Sequence, residues 1–136
     1  MMDIELEKRI HEAAPTVFQS TARFHTGAEL SPNNQRRMFQ PLSLCIGNGW
    51  YDLMMDLVNK VESHIVENNV EFMLTDIKSK FGGLRFYYVG GDDIIDAMVE
   101  EAEARSIVTC EICGAPGESR WDGWVETLCD HHFKEV

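Results

Sequence analysis

The sequence predicts an α+β fold: helices packed on a small antiparallel β-hairpin, followed by a cysteine-rich C-terminal end that folds as a small unit of its own. Three observations predict it. Apolar residues at 50, 53, 54, 57, 58, 61 and 65 recur at helical spacing. Two alternating runs flank Gly82-Gly83. Three cysteines and two histidines gather between Cys110 and His132.

Taken in order, Asp3 to Ala14 reads as a helix stopped by Pro15. Ser31-Pro32 predicts a short helix through Arg37, an N-cap followed by proline at the first helical position. Residues 1–40 thus form a helical N-terminal extension. Pro41 to Gly49 reads as loop, with Gly47 and Gly49 bracketing Asn48. Trp50 to Glu67 is the clearest helix, and Asn68-Asn69 stops it because Asn tolerates the left-handed conformation. The hairpin occupies 70–89: Val70, Phe72 and Leu74 alternate with polar or outward residues, and Leu84 to Val89 alternates again. Two strands alone are marginal, so a third is expected from residues 38–46. Asp92 caps an acidic helix over 92–106, with Ile94, Ile95, Met98, Val99 and Ala102 inward and Glu100, Glu101 and Glu103 outward. These elements make a body over 1–107 and a finger over 108–136.

A chain of 136 residues can bury roughly two-thirds of its unfolded surface. Its 44% apolar and 26% charged residues are ordinary globular composition. The N-terminus has no apolar h-region, and no run is long enough to span a bilayer. A cytoplasmic, reducing setting follows, where paired cysteines bind metal more often than they form disulfides. The net charge of −11 is concentrated late, with twelve acids against three bases from Asp92 to Val136. Such a surface is either a solvated face or a match for a basic protein partner.

The C-terminal spacing is C-x2-C-x15-C-x2-H through Cys110, Cys113, Cys129 and His132. Zinc favours thiolate and imidazole donors in a closed tetrahedron, and each short pair lets one turn present two donors. Cys129 and His132 are three residues apart and share a helix face, whereas His131 points away by about 100°. His132 is therefore the favoured fourth ligand and His131 the second choice. Asp122-Gly123 falls where a hairpin turn belongs, so the order is knuckle, hairpin and short helix, the layout of a treble-clef or zinc-ribbon finger. Three sulfurs and one imidazole fill all four positions of one structural Zn²⁺, which argues against a catalytic ion with an open site. Cys45 reads as buried core rather than as a replacement ligand.

No nucleophile-elbow, Walker, dinucleotide or HExxH motif is present, so the sequence points to a binding protein rather than an enzyme. Lys78, Lys80 and Arg85 flank the loop Phe81-Gly82-Gly83 with Tyr87 beyond it. They offer either cross-strand pairing with neighbouring acids or an anion site. His11, His25 and His64 stand alone and read as incidental. The acidic finger argues against direct nucleic-acid binding, because that affinity comes from Lys and Arg at phosphates.

Lys80-Phe-Gly-Gly-Leu-Arg-Phe-Tyr-Tyr88, Gly90-Gly-Asp-Asp93, Cys110-Glu-Ile-Cys113-Gly114 and Thr127-Leu-Cys-Asp130 with His132 resemble an uncharacterised family of small hypothetical proteins from bacteria and their phages. Gly49-Trp50-Tyr51 fits the same pattern, and the likeness covers about residues 44 to 132. The resemblance implies Cys-x-x-His as the final pair and a bacterial host cell, and it brings no activity. The resulting expectation is a zinc-stabilised acidic module that binds a protein with a basic surface, such as a phage-encoded inhibitor of a host nucleic-acid-handling or defence protein. Its partner-binding residues are then Lys80, Phe81, Arg85, Tyr87, Glu100, Glu101 and Glu103. The alternatives are a nucleotide or small-molecule binder, or enzyme, using the Lys78, Lys80 and Arg85 loop, and a nucleic-acid-binding finger.

Overall fold

The computed structural model describes residues 2–18, 44–121 and 123–134. The expected Ser31 helix, His25 and the start of the third strand lie outside them. The fold is α+β, with helices and two small antiparallel sheets. Helix α1 spans Ile4–Ala13, and the chain turns helical again at 15–18, so Pro15 opens a new helix as well as ending the first. A 3-10 turn at Asn48–Trp50 leads into α2, Tyr51–Asn68.

All seven residues of the apolar stripe, from Trp50 to Ile65, are buried and form the spine of the core. Each such side chain stabilises the fold by roughly 1.5–3 kcal/mol. Ile10, Ala14, Val17 and Phe18 join the same core, so the N-terminal segment is packed against the body. Helix α2 ends where Asn69 takes φ 50°, in the left-handed region.

Strands β1, Phe72–Lys80, and β2, Gly83–Gly90, pair antiparallel. The sequence places the turn at Gly82-Gly83; the structure places it one residue earlier, at Phe81-Gly82, with Gly83 already paired to Lys80. Both turn residues have positive φ, 53° and 78°, the geometry that matches strand twist in a two-residue hairpin. A register shift between Leu74 and Asp76 changes the alternation within β1. Phe72, Leu74 and Ile77 are therefore all buried, while Lys78 comes to the outer face opposite Arg85. Among the described residues, the expected third strand shows one parallel bridge, Cys45 to Lys78. Cys45 is exposed, not core, because Leu44 and Ile46 on either side take the buried positions.

Helix α3, Asp93–Ser106, is capped by the Asp92 carboxylate, which accepts from the Ile95 amide at 3.0 Å. It covers the free edge of β2. The Ser106 hydroxyl accepts from the Leu84 amide at 2.9 Å, and the Glu103 carboxylate from the Phe86 amide at 3.3 Å. Side chains thus satisfy an edge that would otherwise pair with another strand. Glu103 turns inward for this reason, and Ile94, expected in the buried stripe, is exposed. His64 is not incidental: its Nε2 donates to Asp92 at 2.7 Å, joining α2 to the cap of α3. Strands β3, Glu118–Trp121, and β4, Val125–Leu128, form the second hairpin, and α4, Asp130–Lys134, ends the described chain. No helix among the described residues is long and apolar enough to cross a membrane.

Candidate metal centre

The knuckle begins as α3 ends. Ile107 and Val108 turn the chain, Thr109 bridges to Pro116, and Cys110 is locked at both backbone atoms: its amide donates to Ala115 O at 2.8 Å and its carbonyl accepts from Gly114 at 2.9 Å. Gly114 has φ +83°, which a side chain would disfavour. The β3–β4 hairpin then returns the chain to Cys129, and α4 places His132 one turn later, as i to i+3 spacing requires.

The Sγ atoms of Cys110, Cys113 and Cys129 and a ring nitrogen of His132 all lie within 4.8 Å of one another. Cys113 and Cys129 sulfurs are 3.7 Å apart, and His132 Nδ1 is 3.6 Å from Cys110 Sγ and 3.2 Å from Cys129 Sγ. A tetrahedron with ordinary zinc–sulfur and zinc–nitrogen bonds has edges of about 3.8 Å between sulfurs and about 3.5 Å from sulfur to nitrogen. The donor set therefore fits one metal ion of that size. His131 is exposed and packs edge-on against the His132 ring at 5.2 Å.

The electrostatics favour the thiolate at Cys110 and Cys129 and oppose it at Cys113. Burial opposes ionisation of Cys110, but backbone hydrogen bonds from Cys129, Cys113 and Ile112 outweigh it and draw its pKa down to about 6. The His132 amide lowers Cys129, while the nearby Cys129 sulfur raises His132. At Cys113 the Ala115 amide favours the thiolate, yet desolvation and the facing thiols of Cys110 and Cys129 leave its pKa raised.

The knuckle is fastened to the body through Glu111, a residue that sequence reasoning passed over as filler in Cys-x-x-Cys. Its carboxylate accepts from the Gly47 amide and the Ser79 hydroxyl, both at 3.0 Å. Its carbonyl accepts from Gly49 at 2.8 Å, and its amide donates to Thr127 at 2.9 Å. Burial raises the Glu111 pKa against the lowering effect of these donors. Gly49 is wedged in: a Cβ there would lie 2.1 Å from the Cys110 carbonyl oxygen. Trp50 Nε1 donates to Thr109 O at 2.9 Å, and Thr127 Oγ1 donates to Gly82 O at 2.5 Å. The sequence signal at this joint is the pair of glycines, Gly47 and Gly49, that bracket Asn48.

The other singled-out residues fall on two separate surfaces. Lys80, Phe81, Arg85 and Tyr87 belong to the β1–β2 hairpin, with Lys78 beside them. Glu100 and Glu101 stand exposed on α3, with Glu101 3.8 Å from Lys60. Compared with protein-family models, curated proteins and solved structures, the chain matches none of them.

Proposed function

We propose that this chain is a zinc-stabilised, non-enzymatic module that binds a protein partner through its acidic C-terminal third. The observation that carries the reading is the convergence of three thiols and one imidazole within 4.8 Å, at separations suited to zinc. Four protein donors close the coordination sphere, so the ion's role is to hold a finger of treble-clef order, knuckle then hairpin then helix. Thiolate ligation fits a reducing, cytoplasmic setting. The exposed acids Asp93, Asp96, Glu100 and Glu101 on α3 support a partner with a basic surface. The family resemblance supports a phage-encoded inhibitor of a host nucleic-acid-handling or defence protein.

The test has two arms. Protein purified without chelator should carry one zinc per chain, and Cys110→Ser should lose it. Pull-down from bacterial lysate should capture a basic protein whose retention falls with salt and with Glu100→Lys/Glu101→Lys. Absence of stoichiometric zinc defeats the first half; capture indifferent to charge reversal defeats the second.

A further inference from the structure

The β1–β2 hairpin carries a feature that binding through the acidic C-terminal third does not use. Lys78 and Arg85 are direct cross-strand partners, and Lys80 closes the same hairpin. Like charges placed opposite one another destabilise a sheet. Little offsets them here: Lys78 has Asp76 at 3.8 Å, while Lys80 and Arg85 form no ion pair among the described residues. In a chain of net charge −11 this concentration of cations needs a reason.

Two aromatic rings accompany the cations. Phe81 is 71% exposed and Tyr87 40% exposed. Lys78 Nζ stands 5.6 Å from the Tyr87 ring centroid, and Lys80 Nζ 5.6 Å from that of Phe81. Phe81 also occupies the left-handed region at φ 53°, where a bulky side chain is strained and Asn or Gly is the usual choice. Strain of this kind concentrates at functional positions. The fold therefore holds an apolar ring in water, on a disfavoured backbone, beside an ammonium group.

We propose that the outer face of the β1–β2 hairpin, with Lys78, Lys80 and Arg85 beside Phe81 and Tyr87, binds single-stranded nucleic acid. Phosphates pair with the cations and unstacked bases lie on the rings, the combination used by single-strand platforms. From the Asp76–Tyr87 row to the Lys80–Gly83 row the face runs about 14 Å along the strands. A duplex keeps its bases paired and stacked, so it offers the cations its phosphates but the rings no free base face. An acidic peptide would use the cations and leave the rings idle. Most of the acids that argue against nucleic acid belong to α3 and the finger; Asp76 stands beside Lys78 on this face, and the finger meets the hairpin at the Gly82 turn through the Glu126 backbone.

The test is fluorescence anisotropy of the zinc-loaded full chain with a labelled oligo-dT or oligo-U strand, a duplex of equal length, and poly-glutamate as competitor. The single strand should bind best. With three cations engaged, log K should fall with log salt at a slope of about −2, roughly a twentyfold loss from 50 to 200 mM. Tyr87→Ala should weaken binding by about 5- to 150-fold, the range for losing one base-stacking ring. Phe81→Asn should weaken it likewise while raising Tm, because Asn relieves the left-handed strain, which separates binding from folding. Glu100→Gln/Glu101→Gln should leave it intact, so this surface and the acidic one fail independently. No binding at 50 mM salt overturns the proposal, as does affinity that survives both ring substitutions. Duplex or poly-glutamate binding as tight as the single strand overturns it in favour of a general polyanion or acidic-peptide surface.

Discussion

The Gly47 amide donates to the Glu111 carboxylate at 3.0 Å, tying the loop before α2 to the middle of the Cys110–Cys113 knuckle. The same carboxylate holds Ser79 on β1. Glu111→Ala should therefore leave two donors without their acceptor and destabilise the protein by about 1–3 kcal/mol. Urea unfolding of the zinc-loaded protein measures this, and Glu111→Gln, which keeps one acceptor oxygen, should recover part of the loss.

Gly49→Ala should be at least as damaging. The added methyl would meet Cys110 O at 2.1 Å and Gly114 N at 2.6 Å, both backbone atoms of the knuckle. Overpacking of this kind costs about 1–3 kcal/mol or more. Because the displaced atoms position Cys110, zinc affinity should fall together with stability in a competition titration against a chromophoric chelator.

Metal removal should act unevenly. Chelation or Cys110→Ser should expose amides from Thr109 to Phe133 to hydrogen exchange, since the smaller core holds, among the described residues, Cys110, Leu128 and Cys129 with Ala115 packed on it. The amides of α2, anchored in the main core, should stay protected. Uniform loss of protection along the chain would show that the two cores unfold as one.

The His64–Asp92 contact sets a pH dependence. The hydrogen bond from His64, followed by that from the Ile95 amide, holds Asp92 below its ordinary pKa of 3.8. A carboxylate depressed in the folded state stabilises above its unfolded pKa, and that contribution is lost as pH falls through the depressed value. His64→Ala should move the Asp92 pKa upward, read by carboxyl carbon NMR, and weaken the joint between α2 and α3. An unmoved Asp92 titration would show that the cap amides alone hold the charge.

Much of this molecule was legible in short windows. The α2 stripe, the Asn69 stop, the Asp92 cap and the paired donors of the knuckle and α4 are each written within a turn or two of chain, where spacing alone decides which side chains share a face. The shift in β1 was not legible, because the Leu74–Asp76 irregularity is defined by the partner strand. Nor was the exposure of Cys45, which follows from which of its neighbours reach the core.

By itself, then, the sequence determined α1, α2, α3, the two hairpins and the four Cys and His residues that converge, since local periodicity and ligand chemistry act over a few residues. The tertiary structure alone decided that Glu111 meets Gly47 and Ser79, that His64 finds Asp92, and that Lys78 faces Arg85 under exposed rings. Those pairings join segments that are distant along the chain or set in register by an irregular strand, and only the packing of the elements brings their atoms within bonding distance.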